Sequence, residues 1–124
     1  MPPDAMNTRG LAVLLGGMAS DHLALLDYLA GTFAAAMPSA TRVQRRGLFN
    51  RGRAESVRVH LGDTVFELRD HAGQVEPSIG SSVGGVALSR EKVTIDAWVV
   101  RFAAALDDAA RSSDHVRAAL ANLV

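Results

Sequence analysis

The stretch "SVRVHLGDTVFELR", residues 56 to 69, is what most limits the fold open to this 124-residue chain. Val57, Val59 and Leu61 alternate with Ser56, Arg58 and His60. After Gly62-Asp63, Thr64, Phe66 and Leu68 alternate with Val65, Glu67 and Arg69. A period of two belongs to a strand with one buried face, and a two-residue Gly-X link between two such runs makes a tight antiparallel hairpin. So short a loop leaves no freedom of register. Val59 must stand opposite Phe66, Val57 opposite Leu68 and, on the other surface, Arg58 opposite Glu67. Apolar pairs share one face and an opposite-charge pair falls on the other, each worth ~0.2 to 1 kcal/mol. One side of the hairpin is therefore core and the other largely wet.

The flanking sequence extends this hairpin into a sheet. "DHAG" at 70 to 73 reads as the next turn, leading to a short strand around Gln74 to Glu76 that Pro77 ends or confines to an edge. Val83 to Ser89 gives a further strand, with Gly84-Gly85 marking a bulge or bend, and a first strand fits around Thr41 to Arg46. Helical spacing brackets the meander. Leu23, Leu26, Ala30, Phe33 and Met37 follow a cap at Ser20 and stop at Pro38, with Gly31 inside this helix requiring tight packing or a bend. Thr94 caps a second helix, with Val93 and Trp98 placed as a hydrophobic staple and Ile95, Trp98, Val99, Phe102 and Leu106 as its apolar stripe. A third helix is expected from near Ser113, with Val116, Leu120 and Leu123 on one face. The expected fold is α+β: an N-terminal helix, an antiparallel β-meander of four to five strands, and two C-terminal helices packed on one face of the sheet. It forms a single domain over residues 18 to 124. Residues 1 to 17 read as a flexible tail, with Met1, Met6 and Met18 all fitting as translation starts.

This layout resembles secretion-chaperone-like folds, which dimerise and hold partner segments. The resemblance is one of element order, and no residue role is carried across it.

Composition narrows the function classes. Formal net charge is zero, so no global field draws the chain to nucleic acid or membrane, and any such attraction must be local. Without cysteine there is no disulfide and no thiolate chemistry. No stretch reaches the ~18 to 20 apolar residues of a membrane-spanning helix. A cytoplasmic location is expected, because the apolar run Leu11 to Leu15 is short for a secretory signal and Asp4 precedes it.

Two motifs invite a catalytic reading. "GSSVG" at 80 to 84 fits the pattern of a nucleophile elbow, with Asp96, Asp114 and His115 following in order. An elbow requires a serine between a buried strand and a helix, whereas Ser82 leads into "VGGVALS", which reads as strand. His22, His71 and His115 each follow an aspartate, but adjacent side chains diverge on a helix or strand, so these pairs are not dyads or metal sites. No catalytic residue, metal or cofactor is expected.

One local feature remains. Six arginines and a single acid, Glu55, lie between Thr41 and His60. Within this run Arg42, Arg45, Arg46, Leu48, Phe49, Arg51 and Arg53 are the candidate partner-binding residues. Planar guanidinium forks suit carboxylate or phosphate, and an exposed aromatic beside them suits a protein partner. The expected function is that of a small non-catalytic binding or adaptor protein acting through protein contacts as a homodimer, since open sheet edges call for pairing. The alternative is binding of nucleic acid or an anionic surface such as anionic lipid through the Arg-rich loop 42 to 53.

Overall fold

In the computed structural model, which describes residue 17, residues 21 to 47, residues 52 to 112 and residue 118, the central hairpin has the register that its turn demands. Strands β2 (Ala54–Leu61) and β3 (Thr64–His71) pair Val59 with Phe66, Val57 with Leu68 and Arg58 with Glu67. Around them β1 (Thr41–Arg45), β4 (Gln74–Val83) and β5 (Val86–Lys92) complete a five-stranded antiparallel sheet in the order β1-β2-β3-β4-β5. Every connection within the sheet is therefore between neighbours in sequence.

Two of these strands depart from the sequence expectation. β4 does not end at Pro77 but runs through it for ten residues, paired with β3 on one side and β5 on the other. The Pro77 carbonyl accepts a hydrogen bond from Val93 N at 3.2 Å. A strand residue points its N–H and C=O to the same side, so the donor that Pro77 lacks also faces the β5 side. There Val93 stands opposite, one residue beyond the end of β5 at Lys92, so Pro77 costs a single bond at the last rung, the reciprocal one to the Val93 carbonyl. Gly84-Gly85 is likewise a turn and not a bulge inside one strand. Both residues have positive φ, 59° and 83°, as a two-residue hairpin loop of the type I′ kind requires. The bulge lies beside it, where the register shifts between Ser81 and Ser82.

Helix α1 (His22–Ala36) is capped by Asp21 and not by Ser20: the Asp21 carboxylate accepts from Ala24 N at 3.1 Å. It buries Leu25, Leu26, Leu29, Ala30 and Phe33. At its end the Phe33 carbonyl accepts from Met37 N at 2.8 Å and from the buried Thr41 hydroxyl at 3.2 Å, which ties the helix to β1. Gly31 is exposed, and a Cβ there would meet nothing within 4 Å, so tight packing does not explain it.

Helix α2 (Ile95–Ser112) starts at the expected cap, with Thr94 Oγ1 accepting from Ala97 N at 3.2 Å. Trp98, Phe102, Leu106 and Ala110, spaced by four, are all buried. Complete burial of each of the three larger side chains contributes roughly 1.5 to 3 kcal/mol before entropy costs. Phe66 meets Trp98 and Phe102 edge-on at 5.9 and 5.2 Å between ring centres, and Phe33 meets Phe102 at 5.4 Å, so one aromatic cluster joins both helices to the sheet. Trp98 Nε1 donates to the Ser78 carbonyl at 3.1 Å. Among the described residues there is one C-terminal helix where two were expected. No glycine or proline interrupts residues 95 to 112, and alanine-rich turns carry α2 unbroken past the point where a link was needed. The residues of the expected further helix, from 113 on, lie outside the described residues apart from Ala118.

Both helices lie against the same face of the sheet, where Val57, Val59, Phe66, Leu68, Val75 and Ile79 join them in one core. That core stops short of β5. All seven β5 residues are exposed, and the core-face row ending at β5 turns polar, with the Ser81 and Ser89 hydroxyls hydrogen-bonded at 2.7 Å. The opposite face of the sheet carries no packed element among the described residues.

Candidate functional site

Antiparallel partners share a face, so the register of four strand pairs fixes which side chains line the open face. One row crosses the whole sheet: Arg42, Arg58, Glu67, Ser78 and Lys92, one from each strand. A second row holds Gln44, Ser56, Arg69 and Glu76, and a third holds His60, Val65, Gly80 and Arg90. These positions carry five cations against two carboxylates. The helical layer, residues 21 to 36 and 95 to 112, has five aspartates against Arg101 and Arg111. A chain of zero net charge is thus polarised, with an excess of three positive charges on the open face and three negative charges on the helices.

Glu67 organises this face. Its side chain is only 5% exposed, whereas its partners Arg58 and Arg90 are about half exposed. Arg58 Nε donates to Glu67 Oε2 at 2.5 Å, and Arg90 Nη2 donates to Glu67 Oε1. Arg69 Nη2 stands 3.8 Å from Oε2, and Arg90 Nε also donates to the Ser78 hydroxyl at 3.3 Å. Burial alone would push the Glu67 carboxyl up. The Arg58 hydrogen bond and the charges of Arg58, Arg90 and Arg69 outweigh it and hold its pKa below the usual carboxylate value. One carboxylate cannot neutralise three guanidiniums. Each arginine has five donors, and Arg69 Nε, a buried atom, has no hydrogen-bond partner. A depression of about 200 Å³ opens above this cluster, lined by Arg58, His60, Glu67, Ser78, Gly80 and Arg90 among others. A second, shallower one borders Arg69, His71, Glu76, Arg90 and Lys92. Chemically, forked donors held by a buried carboxylate can bind oxyanions.

The residues singled out from sequence are divided by the structure. Arg42 lies in the long row, directly opposite Arg58. Arg45 is partly buried at the irregular end of β1, opposite Ala54. Arg46 turns to Asp70 at 3.4 Å, while its backbone bonds to Gly52 and Arg53 close the base of the loop. Arg53 is exposed there. Leu48, Phe49 and Arg51 lie outside the described residues. Arg69, Arg90 and Lys92 were missed. The forced register had already set Arg58 against Glu67, and this pair was the signal that could have found them.

Ser82 of "GSSVG" lies in β4 and leads through Gly84-Gly85 into another strand, not into a helix, so an elbow is not formed. Gly80 has a different role: a Cβ there would come within 2.5 Å of the Ser89 carbonyl oxygen, so glycine lets β5 approach β4. No helix among the described residues is long and apolar enough to cross a membrane. No protein family, curated protein or solved structure matches this chain.

Proposed function

We propose that the protein is a non-catalytic binding module that holds an acidic protein partner over the open face of its sheet. The observation that carries this is the row Arg42, Arg58, Glu67, Ser78, Lys92 spanning all five strands, with Arg69 and Arg90 beside it. Charge complementarity selects the partner: carboxylates spread along a polypeptide match forked donors spread over a sheet. The test is a titration of fluorescent polyglutamate followed by anisotropy, with a single-stranded oligonucleotide in parallel. The expected result is salt-sensitive binding of polyglutamate that falls about tenfold or more in an Arg42→Ser, Lys92→Ser variant of unchanged melting temperature. Unaltered binding in that variant would sink the proposal. Tighter binding of the oligonucleotide, lost on replacing Arg46 and Arg53 instead, would favour the nucleic-acid alternative.

A homodimer is the second reading, since the five-stranded sheet ends in two edges, at β1 and at β5. Sedimentation equilibrium at micromolar concentration separates the two, since the binding module acts as a monomer and the homodimer does not.

A further inference from the structure

From the shape and charge of β5 we infer that this strand is the docking edge: an extended partner segment with acidic residues at alternate positions adds to the sheet as a sixth strand. This rests on the open face as a surface for acidic chains and specifies how such a chain is held.

β5 is open along its outer edge, and α2 touches it through the Arg101–Glu91 pair. The strand is the last of the sheet, its seven residues are all exposed, and the core stops short of it. An edge of this kind presents unpaired backbone donors and acceptors to any extended segment. Natural edges usually resist such pairing with a bulge or with charges, and β5 has both. The bulge is confined to the end near Ser82, so Ser89 to Lys92 remain regular. The charges are Arg90 and Lys92, both on the open face. They discriminate between occupants. If two copies paired β5 to β5 in antiparallel fashion, Arg90 and Lys92 of both strands would crowd one face, and like charges opposite one another destabilise a sheet. An acidic strand meets the reverse situation. Its open-face side chains fall beside Arg90 and Lys92, where both depressions of the open face converge on Arg90.

The other face sets the alternation. There β5 offers Ser89 and Glu91, the latter 3.7 Å from Arg101 of α2, so an acid on that side would be repelled by Glu91. The segment that fits therefore carries an acid at every second position with neutral residues between. A chain that is acidic throughout fits less well.

The experiment uses the full chain and three synthetic eight-residue peptides: alternating glutamate and threonine, the same composition with its glutamates in one block, and the alternating peptide N-methylated at every second residue. N-methylation removes backbone donors while leaving charge unchanged. Strand addition predicts that the alternating peptide binds best, that N-methylation weakens it about tenfold, and that amide exchange slows at residues 89 to 92. An Arg90→Ser, Lys92→Ser variant should lose most of the binding. Affinities of the N-methylated and block peptides equal to that of the alternating peptide, or protection at β1 instead of β5, overturn strand addition while leaving the open face as an acidic-chain surface. Failure of all three peptides with retained polyglutamate binding has the same meaning. Failure of polyglutamate as well removes both proposals.

Discussion

Replacing Glu67 by Gln should weaken the fold and strengthen its grip on acidic ligands, two effects of opposite sign from a single atom. Hydrogen bonds to charged groups are worth about 1.5 to 3 kcal/mol each, and loss of one partner from a fully buried pair costs about 3 to 5 kcal/mol. Here the carboxylate is buried but Arg58 and Arg90 are about half exposed, so solvent screens about half of each interaction. A glutamine still accepts, with roughly half the strength of a carboxylate. The expected loss is about 1 kcal/mol for Gln and about 2 for Ala, or roughly 4 °C in melting temperature for the former. Meanwhile the excess charge on the open face rises by one and three guanidiniums lose their internal competitor. Acidic-peptide affinity should then rise roughly threefold to tenfold at low salt, the Coulomb energy of one added charge a few ångströms away after screening. The native pKa of Glu67 is lowered, so its stabilisation is present above the unfolded carboxylate value of about 4.3 and is lost as pH falls through the lower folded value. Urea melts of wild type and Glu67→Gln between pH 7 and pH 3, with anisotropy at pH 7, read all three effects. The two curves should converge in acid. Equal stability at pH 7, or weaker peptide binding by the Gln variant, would refute the role assigned to Glu67.

Three further substitutions test the scaffold. Gly31→Ala should stabilise by about 1 kcal/mol, because Gly31 is an exposed helical position with open space around it; a lower melting temperature would reveal a contact not accounted for. Ala72, at φ 54° in the β3-β4 turn, sits where glycine is at ease, and Ala72→Gly should raise stability by roughly 0.5 to 1 kcal/mol in urea melts, with no gain contradicting the strain. Gly80→Ala should cost about 1 to 3 kcal/mol and speed amide exchange in β5 first, as its Cβ strikes the Ser89 carbonyl; unchanged exchange there would mean that β4 and β5 separate without cost.

How far the site was legible depended on whether the deciding contacts were local. The Gly62-Asp63 turn and the period-two runs set Arg58 against Glu67 with no knowledge of the rest of the chain. The fate of β4 was not local. Pro77 ordinarily ends a strand, and it is tolerated because it meets β5 only at its end, where the missing donor costs a single bond beside Val93. Reading β4 as ending there or lying at an edge, and Gly84-Gly85 as a bulge or bend, removed Arg90 and Lys92 from any predictable face. The burial of Glu67 was illegible for a related reason: alternation assigns it to the wet side, and it is arginines from three strands that cover it. The Arg-rich run drew attention to the loop at 42 to 53 because clustering in sequence is visible, whereas clustering across a sheet appears only once the register is known.

The most direct test of the open face as the binding surface is an NMR titration that follows arginine Nε–Hε signals as acidic peptide is added. The chain carries its own control, since Arg111 lies on the helical layer, paired with Asp107 of the same helix. Shifts confined to Arg42, Arg58, Arg69 and Arg90, suppressed by salt, are the predicted result. An equal shift at Arg111, or none at the four open-face arginines, would contradict it.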